Sequence, residues 1–157
     1  MSRSDRWGGA LALTGLVVAA DQITKEIVQA KLVPGEHVDV ALGVELVNVH
    51  NRGAAFGLFA GGQGLVIAIS LLAVVLVGAY MARHATRRGV WVAAGLVVGG
   101  ALGNLADRLR IDSVTDFIDP PLWPAFNLAD VAIVVGLALL LLSMPRGSSD
   151  APPERGT

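Results

Sequence analysis

No cysteine occurs among the 157 residues, which excludes disulfides, a thiolate nucleophile and any Cys-ligated metal. Charge is scarce as well. Asp, Glu, Lys and Arg make up 16% of the chain, against about 25% in a soluble domain. The net charge of −1 leaves no basic footprint for nucleic acid, so no nucleic-acid partner is expected. Aromatics supply only 5%, so the 54% hydrophobic content and the mean hydropathy of +0.62 are largely aliphatic. The excess is gathered in four uncharged runs, residues 7–20, 53–82, 89–106 and 131–145. An ordinary soluble core cannot absorb so much continuous apolar chain. The sequence predicts a small integral membrane protein.

A helix needs about 20 residues to cross roughly 30 Å of hydrocarbon. Within the second and third runs, residues 65–82 and 90–106 nearly reach that length unaided. The first must continue through Asp21, Gln22 and Lys25 to about Val28, and the fourth must begin near Asn127. The expectation is therefore an all-α membrane protein of four transmembrane helices, at about residues 8–28, 63–82, 89–107 and 127–144, in one domain over 1–145. Arg3, Arg6 and the following apolar stretch also resemble a cleaved leader. Cleavage would leave three spans and discard the Asp21/Lys25 pair, so a retained first span is expected. Between the first two spans, apolar residues at 38, 40, 42, 44 and 46 alternate with period 2. That pattern predicts a small extracytoplasmic β segment over 38–51. The tail, residues 146–157, is rich in Pro, Ser and Gly and is expected to be disordered.

Lys and Arg counts set the orientation. With the N-terminus inside, the inner side carries seven cations and three acids, a net +4. The outer side carries five cations and ten acids, a net −5. Both termini should be cytoplasmic.

Drawing out the short runs pulls polar residues into the outer ends of helices, where they are costly unless they face a bundle interior. Asp21 and Lys25 are four apart and share a helix face, as an internal pair or as one that merely snorkels. Gly95, Gly99 and Gly103 form a small-residue packing stripe that Asp107 extends by one turn. Asn104 and Arg108 lie on the adjacent stripe, so Asn104 and Asp107 should point inward. Asp116 sits between Val114 and Phe117-Ile118, in an apolar setting, whereas Asp112 and Asp119 look solvated. Asn127 and Asp130 open the fourth span on one face, and capping alone would suit them.

Two carboxylates in a dry site cannot both ionise cheaply and therefore suit acid/base work. One can deprotonate a water that attacks a carbonyl, and the other can protonate the leaving amine. Rival chemistries are thinner. A serine–lysine mechanism would need Lys25 beside Ser113. No HExxH motif occurs, and His37 and His50 lack a helical ligand spacing. A proton- or ion-coupled transporter is the alternative from another class, although the inner halves of the spans carry no charge to line a route. A lipid-binding scaffold is a third.

Five ordered blocks carry a family resemblance: Asp21-Gln22-x-x-Lys25, Asn51-x-Gly53-Ala54-Ala55-Phe56, Gly103-Asn104-x-x-Asp107-Arg108, Val114-x-Asp116-Phe117-Ile118 and Phe126-Asn127-x-Ala129-Asp130. In order and spacing the chain resembles the bacterial lipoprotein signal peptidases (signal peptidase II) over about residues 8–144. The resemblance implies an intramembrane aspartyl endopeptidase of the bacterial cytoplasmic membrane, with its site near the outer face. It would cut prolipoproteins just before a diacylglyceryl-modified cysteine. It also implies Asp116 and Asp130 as the catalytic dyad. Asn51, Gly53, Asn104, Arg108 and Asn127 would position substrate and dyad, and Asp21, Lys25 and Asp107 would support them. Membrane lipid is an implied partner, and no metal or cofactor is implied.

Overall fold

The computed structural model describes residues 1–52 and 62–144. Gly53, residues 54–56 of the second block and the 146–157 tail lie outside the described residues. Four helices appear: α1 (Arg3–Lys31), α2 (Gly62–His84), α3 (Val90–Ile111) and α4 (Leu128–Ser143). Three strands join them: β1 (His37–Ala41), β2 (Val44–Asn51) and β3 (Val114–Asp119).

Local chemistry fixes several ends. Ser2 and Asp5 form a capping box at the start of α1, and Asn127 and Asp130 form another at the start of α4. Gly89, at φ +81°, starts α3 directly after the 83–88 turn. The side chains of Arg3 and Arg6 donate to Ala82, Ala85 and Arg87 carbonyls there. Those carbonyls lack helical partners, and the arginines tie the start of α1 to the end of α2. Asp21, Lys25, Asn104, Asp107 and Asp130 all lie toward the opposite end of their helices.

Helix α3 is the central element, packed against α1, α2 and α4. Its glycine stripe faces α1: a Cβ on Gly99 would lie 2.7 Å from Val17 Cβ, and one on Gly95 3.0 Å from Leu13 Cβ. Gly100 faces α4, where a Cβ would come within 2.3 Å of the Ala129 carbonyl oxygen. Small residues thus set the helix separation. A buried cluster of Ala10, Val77, Met81, Val90, Ala93 and Leu140 fills the end near the α2–α3 turn.

Two helices, α2 from Gln63 and α3, are long and apolar enough to cross a membrane by length and composition. α1 is longer, at 29 residues, but carries charges toward both ends. α4 is apolar but has only 16 residues. The helices therefore follow the expected order, although only two have the composition of an unambiguous span.

The β element departs from expectation twice. Residues 38–51 do not form one strand: Leu42 and Gly43, both at positive φ (55° and 77°), turn the chain into a β1–β2 hairpin. A two-residue turn of this hand ordinarily takes Asn-Gly, and leucine at its first position hides it. Residues 114–119, for which the sequence predicts no strand, are a third strand paired antiparallel with β2. Two aspartates obscure its β-branched and aromatic content. The sheet is fastened to the end of α1 by Asn48, whose side chain donates to the Leu32 carbonyl while its backbone carbonyl accepts from the Gly35 amide.

Candidate active site

The site is assembled around Lys25. Its ammonium lies 2.8 Å from Asp21 Oδ2 and 3.0 Å from Asp107 Oδ2, and it donates to Asn104 Oδ1 at 2.9 Å. All three groups are buried, so the pair does not snorkel. Gly103 makes room for it, because a Cβ there would meet Asp21 Oδ2 at 2.7 Å. Ser113 donates to the Ile111 carbonyl, and the Lys25 ammonium is engaged by two carboxylates and Asn104, which leaves it unsuited to act as the base of a serine–lysine mechanism.

Each carboxylate bound to Lys25 also holds a backbone amide. Asp107 Oδ2 accepts from the Thr115 N–H at 3.1 Å, and Asp21 Oδ1 accepts from the Ala129 N–H at 3.0 Å. These are the residues immediately before Asp116 and Asp130. One ammonium thereby fixes the backbone that carries both members of the expected dyad. A third connection runs through Asn104, whose Nδ2 donates to Asp130 Oδ1 at 2.7 Å.

Asn127 joins the two aspartates directly. Its side-chain amide donates to Asp116 Oδ1 at 2.7 Å, and its backbone N–H donates to Asp130 Oδ2 at 3.2 Å. Asn51 donates to Asp116 Oδ2 at 2.9 Å. Burial pushes the Asp116 carboxyl up to about 6, and nearby Asp130 adds to the rise; the Asn51 and Asn127 bonds and the Lys25 charge oppose it. An acid of this kind can hold or release a proton near neutral pH.

Asp130 also borders two cavities. One of about 260 Å³ lies among α2, α3 and α4, with Asn104, Arg108 and Asp130 at its polar end and Val77, Val97 and Leu137 among its apolar lining. The other, of about 300 Å³, runs under Trp123 and Phe126 beside Val131, Val134 and Val135. Arg108, half-buried, donates to the Asn104 carbonyl at 3.4 Å. An extended apolar ligand could lie against a wall that ends in paired carboxylates.

All predicted site residues except Gly53, which lies outside the described residues, come to this end of the bundle. Two glutamines without an assigned role join them. Gln22 donates to Asp107 Oδ1 at 2.9 Å and accepts from Arg110 at 3.0 Å. Gln29 donates to Thr115 Oγ1 at 2.6 Å, so Thr115 is held by side chain and backbone alike. The spacing Asp21, Lys25, Gln29 places Gln29 on the same helix face and could have revealed it. Asp119 is half-buried rather than freely solvated, opposite Glu45 across the sheet. His37, Glu45 and Asp119 bring one ligand atom each within 4.8 Å of one another. They are accessible surface groups already satisfied in part by the 2.5 Å His37–Glu45 contact, and Asp119 projects from the opposite sheet face to Asp116.

Comparison with known proteins agrees with this arrangement. A family model described as signal peptidase (SPase) II matches residues 13–146. A lipoprotein signal peptidase of Moorella thermoacetica is 40% identical over 147 residues, covering 91% of this chain and 98% of its own. One from Syntrophomonas wolfei is 44% identical over 137 residues, covering 87% and 89%. A solved bacterial membrane enzyme superposes with a TM-score of 0.82 at 27% identity, covering 90% of this chain and 95% of its own. By the extent and identity of these matches, the chain belongs to the signal peptidase II family of aspartic proteases.

Proposed function

We propose that Asp116 and Asp130 are the catalytic dyad of this membrane enzyme, which removes signal peptides from prolipoproteins. The observation that carries the assignment is Asn127, bonded to both carboxylates, with Asp116 raised toward neutrality beside Asp130. In the working state one carboxyl is protonated and the other ionised. The ionised member takes a proton from water as the water oxygen attacks the scissile carbonyl. The protonated member hydrogen-bonds to that carbonyl oxygen, and a proton then passes to the leaving amine as the C–N bond breaks. No metal is needed in this scheme.

Asn104, Asn127 and Asn51 orient the carboxylates, while Lys25, Asp21 and Asp107 hold the backbone beneath them. Arg108, at the polar end of the cavity between α2, α3 and α4, is suited to fix the substrate near the cut. The substrate class follows from the surroundings. A signal helix lying in hydrocarbon would meet the dyad where it leaves the membrane, and a diacylglyceryl cysteine would set its depth. Its acyl chains remain in apolar surroundings, so binding them requires little desolvation.

All four helices cross the bacterial cytoplasmic membrane in this reading, with both termini inside and the dyad near the outer face. The charge asymmetry and the apolar exteriors of α2 and α4 support it. A cysteine placed at Arg87 should then resist an impermeant thiol reagent in intact cells, and one at Gly35 should react. The transporter alternative gains no support from the comparisons. The decisive experiment is incubation of purified protein with a diacylglyceryl-modified prolipoprotein. Release of the signal peptide from that substrate, but not from its unmodified form, is expected; equal cleavage of both would overturn the lipid requirement.

A further inference from the structure

Two leucines lie where leucine is poorly suited. Leu42, at the tip of the β1–β2 turn, and Leu122, in the loop between β3 and α4, adopt φ of 55° and 68°. Side chains rarely tolerate that region, and both leucines are almost wholly exposed, at 98% and 104%. The two tips are neighbours: a Cβ on Gly43 would lie 3.6 Å from Pro121 Cγ. Trp123 follows at once, 69% exposed, and shares a cavity wall with Val131, Val134 and Val135 of α4. Trp123 thereby joins the Leu122 tip to the apolar exterior of α4.

The placement of the other large aromatics gives this patch a level. The chain has three Trp and one Tyr. Trp7, Tyr80 and Trp91 pack together against the cluster near the α2–α3 turn, and Trp123 alone lies at the opposite end. Trp and Tyr favour the two interfaces of a bilayer. Between the two levels lies the length of α4, whose 16 residues rise about 24 Å.

We propose that the paired tips, Leu42 on the hairpin and Leu122-Trp123 before α4, dock onto the lipid interface of the outer leaflet and hold the sheet against the membrane surface. The proposal rests on the reading that the helices cross a bilayer. Its consequence is that β3, which carries Asp116, is held at a fixed depth from both of its ends: by the Asp107–Thr115 bond at the start and by the lipid-seated loop after Asp119.

Depth-resolved fluorescence quenching tests it. The full chain with Trp7→Phe and Trp91→Phe leaves Trp123 as the probe, in phosphatidylcholine vesicles brominated near the headgroup or deep in the acyl chain. Shallow bromine should quench Trp123 at least about twofold more than deep bromine does. In a separate protein lacking the native Trp residues, Leu72→Trp at the middle of α2 should show the reverse preference. If Leu72→Trp is quenched by deep bromine while Trp123 is unquenched, the anchor is wrong and the spanning reading stands. If neither is quenched, both fail. Adding Leu42→Gly and Leu122→Gly should leave thermal stability in detergent equal or higher, because glycine accepts both φ values. The same change should reduce shallow quenching of Trp123 by about half or more. Unchanged quenching in that variant, or quenching seen only after prolipoprotein is added, would overturn the proposal.

Discussion

Helices α2 and α3 are nearly equal in length, at 23 and 22 residues, and are opposite in use. The more apolar helix, α2, has 6% of its membrane window buried, whereas α3, rich in glycine and with Asn104, Asp107 and Arg108 in its last turns, has 67% buried. In water that ordering would be reversed. In lipid an aliphatic side chain gains nothing by leaving hydrocarbon, so small and polar residues take the inside and leucines face out. The more hydrophobic of the two is the jacket here, and the one with poorer credentials as a span is the framework of the site.

The proposed dyad lies at the far extreme of that contrast, and its removal should have the largest effect. Asp116→Asn and Asp130→Asn should each lower turnover by about 10²- to 10⁴-fold, since an amide neither takes nor gives the required proton. Near-isosteric replacement should preserve folding, checked by thermal unfolding in detergent beside a peptide-release assay. Full cleavage by either variant would remove the aspartyl assignment. Asp112→Asn, on an exposed residue of the same acidic stretch, should cost little.

Lys25→Met comes next. It leaves Asp21 and Asp107 buried without their shared cation, and breaking a buried pair in this way costs about 3–5 kcal/mol. A large loss of unfolding temperature is expected. Restoring much of it by adding Asp21→Asn and Asp107→Asn would show that unbalanced charge caused the loss; no loss at all would show that Lys25 reaches solvent.

The glycines give the sharpest form of the comparison, because one substitution should change sign between helices. Gly99→Ala on α3 brings a Cβ within 2.7 Å of Val17 Cβ, and overpacking of this kind costs about 1–3 kcal/mol. Gly78→Ala on α2 meets nothing within 4 Å and should stabilise by up to about 1 kcal/mol through helix propensity. Equal effects in thermal unfolding would mean that α2 has a packing partner after all.

An effect of the same order as Gly99→Ala is expected from pH. Asp116 titrates near 6 in the folded chain and near 3.8 when unfolded, so between those values the folded state holds more proton. Stability should therefore be highest below about pH 4 and decline as pH rises through about 6, by roughly 1–3 kcal/mol in all. Asp116→Asn should flatten that decline, as followed by unfolding temperature against pH.

Much of the bundle was legible because its signals are local. Run lengths located the helices, the four-residue glycine spacing gave the packed face of α3, and the same spacing put Asp107 and Asn104 inside. The sheet was less legible. Val114–Asp119 becomes a strand only by pairing with Val44–Asn51, some 65 residues earlier, and no local period records such a partner. The hairpin was missed for a related reason: its turn uses a leucine that local propensity disfavours, and the seating of the neighbouring Gly43 against Pro121 is a tertiary matter.

By itself the sequence determined that this chain belongs in a membrane, where its helices run, and that its acids, amides and one lysine gather toward one end. Those properties follow from hydropathy and helical periodicity, which act over a few turns. The five motif blocks also carried the family likeness. Only the tertiary structure decided that Lys25 is shared by Asp21 and Asp107, that those carboxylates grip the amides just before Asp116 and Asp130, and that Asn127 bonds to both of these aspartates. Those contacts join residues from α1, α3, β3 and the start of α4, and hydrogen bonds tolerate only tenths of an ångström. Such precision comes from the packing of whole helices across their glycine faces, and spacing along the chain does not encode it.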